Sequence, residues 1–298
     1  MSFKGIYKHS SFSSRLGILF ALVLVSFLVH MVLAFALIYI VDEVGIFSIH
    51  NHVYVNGMPI YKLKIMQFFS AIGLFITPLL LYSFLTEFKF NFGVVKRQSL
   101  LLLVAIIIIG APFINLLLDW NMKISMPEWI LQLDNNSEEL INAFLNINNY
   151  WDLVFTLIIM AIVPAIGEEL FFRGWMQITF FKWLANNHFS IILTAFLFGL
   201  IHLDSQALIP RFVLGVLLGY LYYWSNNLWM PIIAHFLNNT QAVVFLSPFF
   251  KLENMLEPVL VGGTNHTVGI FSAIFVCILL YIFYKYNSVT KKHVNKEL

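Results

Sequence analysis

Long apolar stretches alternate with short polar segments along most of the chain. A helix needs about 20 apolar residues to cross a hydrocarbon core of about 30 Å. The fourth stretch is longer than one span requires and contains Pro164, which predicts a tilted or kinked helix. The fifth and sixth are short, so a re-entrant pair is the alternative to two full spans. The best count is eight membrane helices: Leu16–Val41, Ile65–Leu85, Leu100–Leu118, Trp151–Phe181, Phe189–Leu203, Ile209–Trp224, Trp229–Phe249 and Val268–Tyr286.

The composition agrees with this pattern. The 298 residues are 60% hydrophobic and 11% charged, whereas soluble domains carry about 25% charged residues. The sequence therefore predicts an all-α polytopic membrane protein with the lipid bilayer around it. The net charge of +2 gives no reason to expect a nucleic-acid partner. The first stretch exceeds the 7–15 residues or so of a signal-peptide core, so a retained span is predicted.

The spans and the segments between them divide the chain into three predicted parts. These are residues 1–150 with the first three spans and an acidic loop, residues 151–250 with spans four to seven, and residues 251–298 with the last span and a basic tail.

The acidic loop of the first part extends from Asp119 to Tyr150. Its segment Ser125-Met-Pro127-Glu128 resembles a capping box with a proline at the start of a helix. One interpretation is a short surface helix that places Trp129 and Leu133 at the membrane interface. A solvated irregular loop is the other.

Positive charges between the spans predict the orientation, because cytoplasmic loops are enriched in Lys and Arg. Placing both termini in the cytoplasm puts twelve such residues inside and five outside, which favours that orientation. Those inside are Lys4, Lys8, Arg15, Lys89, Lys96, Arg97, Arg173, Lys182, Lys285, Lys291, Lys292 and Lys296, and those outside are Lys62, Lys64, Lys123, Arg211 and Lys251.

Polar side chains interrupt the apolar stretches at three places in the middle part. A charged group near the bilayer centre costs at least about 2.5–3.5 kcal/mol on insertion scales, so such groups are functional candidates. Carboxylate, imidazole and amide groups are also the components of a hydrolytic site. The three sets are Glu168, Glu169 and Arg173; Phe198 and His202; and His235 and Asn239.

Helical geometry assigns different surroundings to the two glutamates. At about 100° per residue, Glu169 and Arg173 share a face and can pair, whereas Glu168 points elsewhere. The fourth and fifth spans are expected to form a hairpin that turns near Ala185–Asn187. Counted from this turn at 1.5 Å per residue, Glu168 and His202 both lie about 25 Å along their helices, so they are expected to meet.

The same count places His235 nearer the opposite membrane face than His202. A tilt, or a seventh helix that begins deeper in the protein, is needed to bring the two rings together. In the sixth span, Gly215 and Gly219 are four residues apart, which predicts close helix packing rather than chemistry.

The three polar sets together resemble the motifs of the CAAX-prenyl-protease and bacteriocin-processing family of intramembrane endopeptidases, which includes the type II CAAX-prenyl endopeptidases. The motifs read Glu168-Glu169-x-x-x-Arg173, Phe198-x-x-x-His202 and His235-x-x-x-Asn239. The similarity covers roughly Trp151 to Phe249.

The resemblance implies that a water held between Glu168 and His202 hydrolyses a peptide bond, with Glu168 as general base. His235 and Asn239 would donate hydrogen bonds to the developing oxyanion. Glu169 with Arg173 would support the site.

Several alternatives stay open. Glu168, His202 and His235 form a set that zinc would accept, but metal-independent chemistry without a cofactor is favoured because no His-x-x-x-His helix motif is present. A non-catalytic immunity or accessory protein of the same fold is one rival function. A proton-coupled transporter is another, although no span pair shows the repeat symmetry of transporters.

The resemblance also implies that residues 151–250 form the catalytic core, with the active site inside the helix bundle. It indicates the class of the substrate but not its identity: a membrane-associated peptide or a lipidated, CAAX-like protein would suit a site covered by spans. An apolar cavity lined by Phe171, Phe172, Phe196 and Phe198 would suit such a substrate, but the chain contains 31 phenylalanines, so this lining carries little information.

Overall fold

The structure is a computed structural model that describes residues 3–44, 54–55, 57–247, 249 and 266–294, with the backbone alone for 133–137 and 289–294. These residues form nine helices and one two-stranded hairpin. The helices are α1 (Phe12–Val44), α2 (Ile60–Thr86), α3 (Arg97–Met122), α4 (Glu128–Leu145), α5 (Tyr150–Leu184), α6 (Asn187–Leu200), α7 (Leu208–Ser225), α8 (Trp229–Leu246) and α9 (His266–Val294). The strands are β1 (Tyr54–Val55) and β2 (Met58–Pro59), paired antiparallel.

The predicted class is confirmed: the chain is an all-α, multi-pass integral membrane protein. In the described ranges, six helices are long and apolar enough to cross a membrane, namely α1, α2, α3, α5, α9 and the continuous segment Ser205–Ser225 that contains α7. The count of eight is not confirmed. The predicted fifth span is α6, which has 14 residues, and the predicted seventh is α8, which has 18 residues and contains several polar side chains.

Helix α4 corrects the interpretation of the acidic loop. The loop does form a helix, but this helix has 18 residues and no capping box at its N-terminus. Pro127 occupies the N-cap position and no side chain caps the helix. Trp129 is exposed, as expected for a surface helix; the side chain of Leu133 lies outside the described residues.

Helix α5 carries the first polar motif and is interrupted by two π-helical segments, Ile158–Ile162 and Leu170–Gln177. The first segment directly precedes Pro164, whose ring removes a backbone donor and blocks regular hydrogen bonding. Such π-helical segments occur frequently at functional sites. Here they bracket the short α-helical turn that carries Glu168 and Glu169.

The hairpin between α5 and α6 turns where the sequence predicts it. Ala185 adopts a left-handed conformation with φ of 51°. The Asn186 side chain then accepts a hydrogen bond from the backbone N–H of Phe189 and caps α6. Because α5 and α6 are antiparallel neighbours, their polar residues can meet across the hairpin.

Two apolar clusters hold the bundle together. The first joins α3, α7, α8 and α9, and the second joins α1, α2, α5, α7 and α8. The first includes Leu103, Ile106, Leu218, Met230 and Phe283; the second includes Leu19, Leu79, Leu170, Trp175 and Leu228. The three-part division at residues 150 and 250 stays a prediction.

Helices α6 and α7 approach closely at a glycine, as the sequence predicts. A Cβ atom built on Gly215 would lie 3.0 Å from the Ala195 Cβ and 3.1 Å from its Cα. Only a residue without a side chain allows this approach.

The helix of the second span begins before the predicted bound at Ile65, which changes the surroundings expected for Lys64. Helix α2 begins at Ile60, so Lys64 lies within it and is buried. Its ammonium group forms an ion pair with Asp152 and donates to the Thr156 hydroxyl at 2.9 Å. These contacts join α2 to α5 and provide the pairing that a buried cation requires.

Candidate active site

Residues from each of the three motifs line one cavity of about 400 Å³ inside the bundle. Glu168 comes from α5, Phe198 and His202 from α6 and the turn after it, and His235 and Asn239 from α8. A cavity of this size lies within the usual range of about 300–1,000 Å³ for small-molecule sites. The helices therefore bring together residues that are far apart in the sequence.

Glu169 forms the buried centre of a charged cluster. Its Oε1 accepts a hydrogen bond from Arg173 Nη1 at 2.6 Å and one from His235 Nδ1 at 2.8 Å. The predicted pairing of Glu169 with Arg173 is confirmed, and both side chains have no exposed surface. Arg173 Nη2 also donates to the carbonyl of Gly215 at 3.1 Å. One carboxylate thus fixes two basic side chains.

Glu168 has different surroundings, as the helical geometry predicts. Its Oε2 lies 3.7 Å from His202 Nε2, which is too long for a direct hydrogen bond. Within the described part of the chain, this buried oxygen has no hydrogen-bond partner. The expected meeting of Glu168 and His202 across the hairpin is confirmed.

A backbone hydrogen bond fixes the tautomer of His202. Its Nδ1 lies 2.7 Å from the carbonyl oxygen of Phe198. Since a carbonyl can only accept, Nδ1 carries the proton. In the neutral ring Nε2 then presents a lone pair towards Glu168.

The Phe198 ring separates the basic groups of the site. Its centroid lies 5.0 Å from the His202 ring and 5.7 Å from the His235 ring. The Arg173 guanidinium carbon lies 4.5 Å from the centroid of the Phe198 ring, within range of a cation–π contact. Of the four phenylalanines considered from the sequence, Phe198 lines the cavity and Phe196 is exposed on the bundle surface.

The depth difference estimated for His235 does not keep it from the site. The turn before α8 packs inside the protein: Leu228 is fully buried, and its N–H donates to the carbonyl of Asn91 at 2.9 Å. The Asn227 side chain accepts from the N–H of Gly93 at 2.9 Å. Helix α8 therefore begins within the fold, and this brings His235 to Glu169.

Asn239 is held by a carbonyl of the first π-helical segment. Its Nδ2 donates to the oxygen of Met160 at 3.1 Å, and its Oδ1 accepts from Asn238 Nδ2 at 3.3 Å. One N–H of the Asn239 amide is used in this way, and the second is left for another acceptor.

Sequence reasoning missed several residues that line the cavity. The apolar face of α4 contributes Leu140, Ile141, Phe144 and Leu145. Neighbouring members of this set are one, three or four positions apart, which is the spacing of one apolar helix face. This spacing could have indicated the face from the sequence.

Arg211 also lines the cavity, although the sequence identified it only as an outer cation. Its Nη1 lies 2.7 Å from Asp204 Oδ2. Asp204 precedes the first turn of the segment Ser205–Ser225 and Arg211 lies in α7, so the spacing within a single helix did not predict the pair.

The three residues of the zinc alternative are not gathered into a ligand set. Across the residues that the structure describes, no group of three His, Cys, Asp or Glu side chains could hold a metal ion.

The site combines a carboxylate, two imidazoles and an amide at one cavity of a multi-pass membrane protein. Residues 150–241 match the family model described as type II CAAX prenyl endopeptidase Rce1-like. This segment contains all three motifs, and over it the chain is similar to the CAAX-prenyl-protease and bacteriocin-processing family.

The chain is also similar to a curated protein of Bacillus subtilis (strain 168), the "Putative membrane peptidase YdiL". The two are 27% identical over 111 residues, which is 36% of this chain and 45% of the relative. The chain thus matches less than half the length of that protein. No solved structure matches the chain.

Proposed function

We propose that this protein is an intramembrane endopeptidase that hydrolyses a peptide bond in a membrane-associated or lipidated substrate. One observation carries the proposal. Of two adjacent glutamates, Glu169 is engaged through its Oε1 by Arg173 and His235, while Glu168 lines the cavity with its Oε2 3.7 Å from His202 Nε2. A carboxylate and an imidazole left free in a cavity are suited to activate water.

The hydrogen-bonding roles favour a shared water molecule. Glu168 as carboxylate and Nε2 of neutral His202 are both acceptors, so they cannot bond each other directly. A water between them donates one proton to each and directs its lone pairs into the cavity. Glu168 takes the proton as the water attacks the carbonyl carbon, and it then gives this proton to the amide nitrogen, which leaves as an amine when the C–N bond breaks. Proton transfer of this kind typically contributes about 10²–10⁴ in rate.

We propose that His235 and Asn239 stabilise the oxyanion. The second N–H of Asn239 supplies one donor. His235 already donates Nδ1–H to Glu169, so it supplies Nε2–H only as the imidazolium. The carboxylate of Glu169, which also pairs with Arg173, is the counter-ion in contact with this ring.

The substrate class follows from the surroundings of the cavity. The family description names prenyl endopeptidases, and the cavity is lined by apolar residues of α4 as well as by the polar motif. These features fit an extended hydrophobic or lipid-modified peptide. We further propose that both termini are cytoplasmic, on the basis of the positive charges in the connecting segments; Lys251 and Lys296, two of those charges, lie outside the described residues.

A cleavage assay tests the proposal. The purified protein is incubated in detergent with a quenched peptide library that includes lipidated members, alongside Glu168→Ala and the control Glu43→Gln, which alters an exposed carboxylate. We expect cleavage by the wild type and the control, and a loss of at least about 10² in Glu168→Ala. A wild type that cleaves none of the peptides would instead support a non-catalytic protein of this fold.

A chelator added to the same assay tests the chemistry. Cleavage that persists supports the metal-independent mechanism. Cleavage that is lost and then restored by zinc would contradict it and return His202 and His235 to the role of ligands.

A further inference from the structure

A second polar cavity lies at the other end of α5. It has a volume of about 330 Å³ and is lined by Phe12, Arg15, Tyr82, Phe88, Thr179, Lys182 and Trp183. None of these residues lines the cavity of Glu168 and His202. At 1.5 Å per residue, Lys182 lies about 20 Å along α5 from Glu168. The two cavities are therefore separate.

Two cations face this cavity without a carboxylate. In the described part of the chain, neither Arg15 nor Lys182 forms an ion pair. Arg15 Nε donates to the carbonyl of Ser10 at 3.0 Å, which holds the guanidinium in place and leaves its Nη groups for a ligand. The cavity therefore carries uncompensated positive charge.

Glu87 is the acidic residue next in sequence to Phe88 of the cavity lining, and it has its own partner. Glu87 Oε2 lies 2.7 Å from Lys8 Nζ. The hydrogen bond and charge of Lys8 hold the pKa of the Glu87 carboxyl below its usual value. Glu87 is thus compensated by Lys8 and does not neutralise Arg15 or Lys182.

Tyr82 adds an independent indication of a ligand. Its side chain is 5% exposed and lines the cavity. Among the described residues its hydroxyl makes no hydrogen bond, so this hydroxyl is available to a ligand in the cavity. A phosphate oxygen could accept from this hydroxyl as well as from the two cations.

The aromatic residues around the cavity indicate where that phosphate comes from. Phe12 and Trp183 line it and are strongly exposed, as residues at the boundary between lipid and water often are. Arg15 stands near the start of α1 and Lys182 near the end of α5, the first and last turns of two spans. A ligand in this position would have its phosphate at the cations and its chains against the exposed rings.

We propose that this cavity, lined by Arg15, Tyr82 and Lys182, binds the phosphate of an anionic phospholipid headgroup. The site is independent of the proposed peptidase reaction, because it shares no residue with the catalytic cavity. Anionic lipids attract basic residues near the membrane surface. The guanidinium supplies paired donors, and the ammonium supplies a point charge.

Binding of defined lipids to the full-length protein tests the proposal. The protein is purified without bound lipid in a neutral detergent, and native mass spectrometry measures the binding of phosphatidylglycerol and phosphatidylcholine with identical chains. We expect the wild type to prefer phosphatidylglycerol. Replacing Arg15 and Lys182 together by Gln should weaken phosphatidylglycerol binding at least about tenfold, and Tyr82→Phe should weaken it by a smaller factor.

Matched variants distinguish binding at this cavity from a general effect of positive charge on the protein. Lys89→Gln with Arg97→Gln removes one lysine and one arginine that are exposed and line neither cavity, so it should leave the preference unchanged. Arg15→Lys with Lys182→Arg keeps both charges and should retain most of the binding, which shows that the Gln variants do not lose it by misfolding.

Three outcomes would overturn the proposal. They are equal binding of the two lipids by the wild type, an equal loss in the Lys89 and Arg97 control, and displacement of phosphatidylglycerol by millimolar inorganic phosphate alone. The last would identify a free-anion site instead of a lipid site.

Discussion

His235 and Glu169 are 66 residues apart in the sequence and are joined by a hydrogen bond of 2.8 Å between Nδ1 and Oε1. The same oxygen accepts from Arg173 at 2.6 Å. This single acceptor links the first and third motifs inside the bundle. It leaves Glu168 as the carboxylate that is available to the cavity.

Removing the Glu169 carboxylate should destabilise the fold. In Glu169→Gln the buried guanidinium of Arg173 loses its counter-ion, and a broken buried ion pair costs about 3–5 kcal/mol. We expect a clear fall in the thermal unfolding midpoint of the purified protein in detergent. Glu43→Gln, which changes an exposed carboxylate, should leave the midpoint nearly unchanged. An equally stable Glu169→Gln protein would show that the cluster does not depend on this charge.

The ring of Phe198 should contribute through its aromatic face. Phe198→Leu keeps an apolar side chain but loses the contact with the Arg173 guanidinium at 4.5 Å and those with both histidines. We expect a loss of about 1–3 kcal/mol in stability. Phe196→Leu on the same helix is the control, because Phe196 is exposed. Equal effects of the two substitutions on the unfolding midpoint would argue against a specific role of Phe198.

Close packing at Gly215 should make even a methyl group harmful. An added Cβ would meet the Cβ, Cα and carbonyl oxygen of Ala195 at 3.0–3.2 Å. Overpacking of this kind costs about 1–3 kcal/mol, and it would also shift the carbonyl that accepts from Arg173. Gly17→Ala is the matched control, since a Cβ there meets no atom within 4 Å. Gly215→Ala should therefore lower the unfolding midpoint, and Gly17→Ala should preserve or raise it. A Gly215→Ala protein as stable as Gly17→Ala would show that the helices can separate without cost.

Asn239 should act on the reaction more than on the fold. Asn239→Ala removes an oxyanion donor, which typically lowers kcat by about 10²–10³. We expect KM to change little, because the donor acts mainly in the transition state. Steady-state kinetics on a cleaved peptide measure both constants, with Asn142→Ala on the exposed side of α4 as the control. A rise in KM with unchanged kcat would assign Asn239 to substrate binding instead.

Local spacing predicted the contacts that a single helix or hairpin determines. The pairing of Glu169 with Arg173 follows from four-residue spacing, and the meeting of Glu168 with His202 follows from equal distances to one turn. The close approach at Gly215 follows from its lack of a side chain. Each of these needs only helix geometry.

Contacts set by tertiary packing were not predictable in the same way. The contact of His235 with Glu169 depends on the buried turn at Leu228, which is held by Asn91 of a loop far away in the sequence. The burial of Lys64 depends on Asp152 in another helix. The bond from Asn239 to Met160 uses a π-helical segment that apolar periodicity does not reveal.

The role of Glu168 as general base is tested most directly by measuring activity and stability on the same preparations of the wild type, Glu168→Gln and Glu169→Gln. We expect Glu168→Gln to lose peptide cleavage by at least about 10² and to keep the wild-type unfolding midpoint. Glu169→Gln should lose both cleavage and stability. Cleavage retained by Glu168→Gln would contradict the assignment of this carboxylate as the general base.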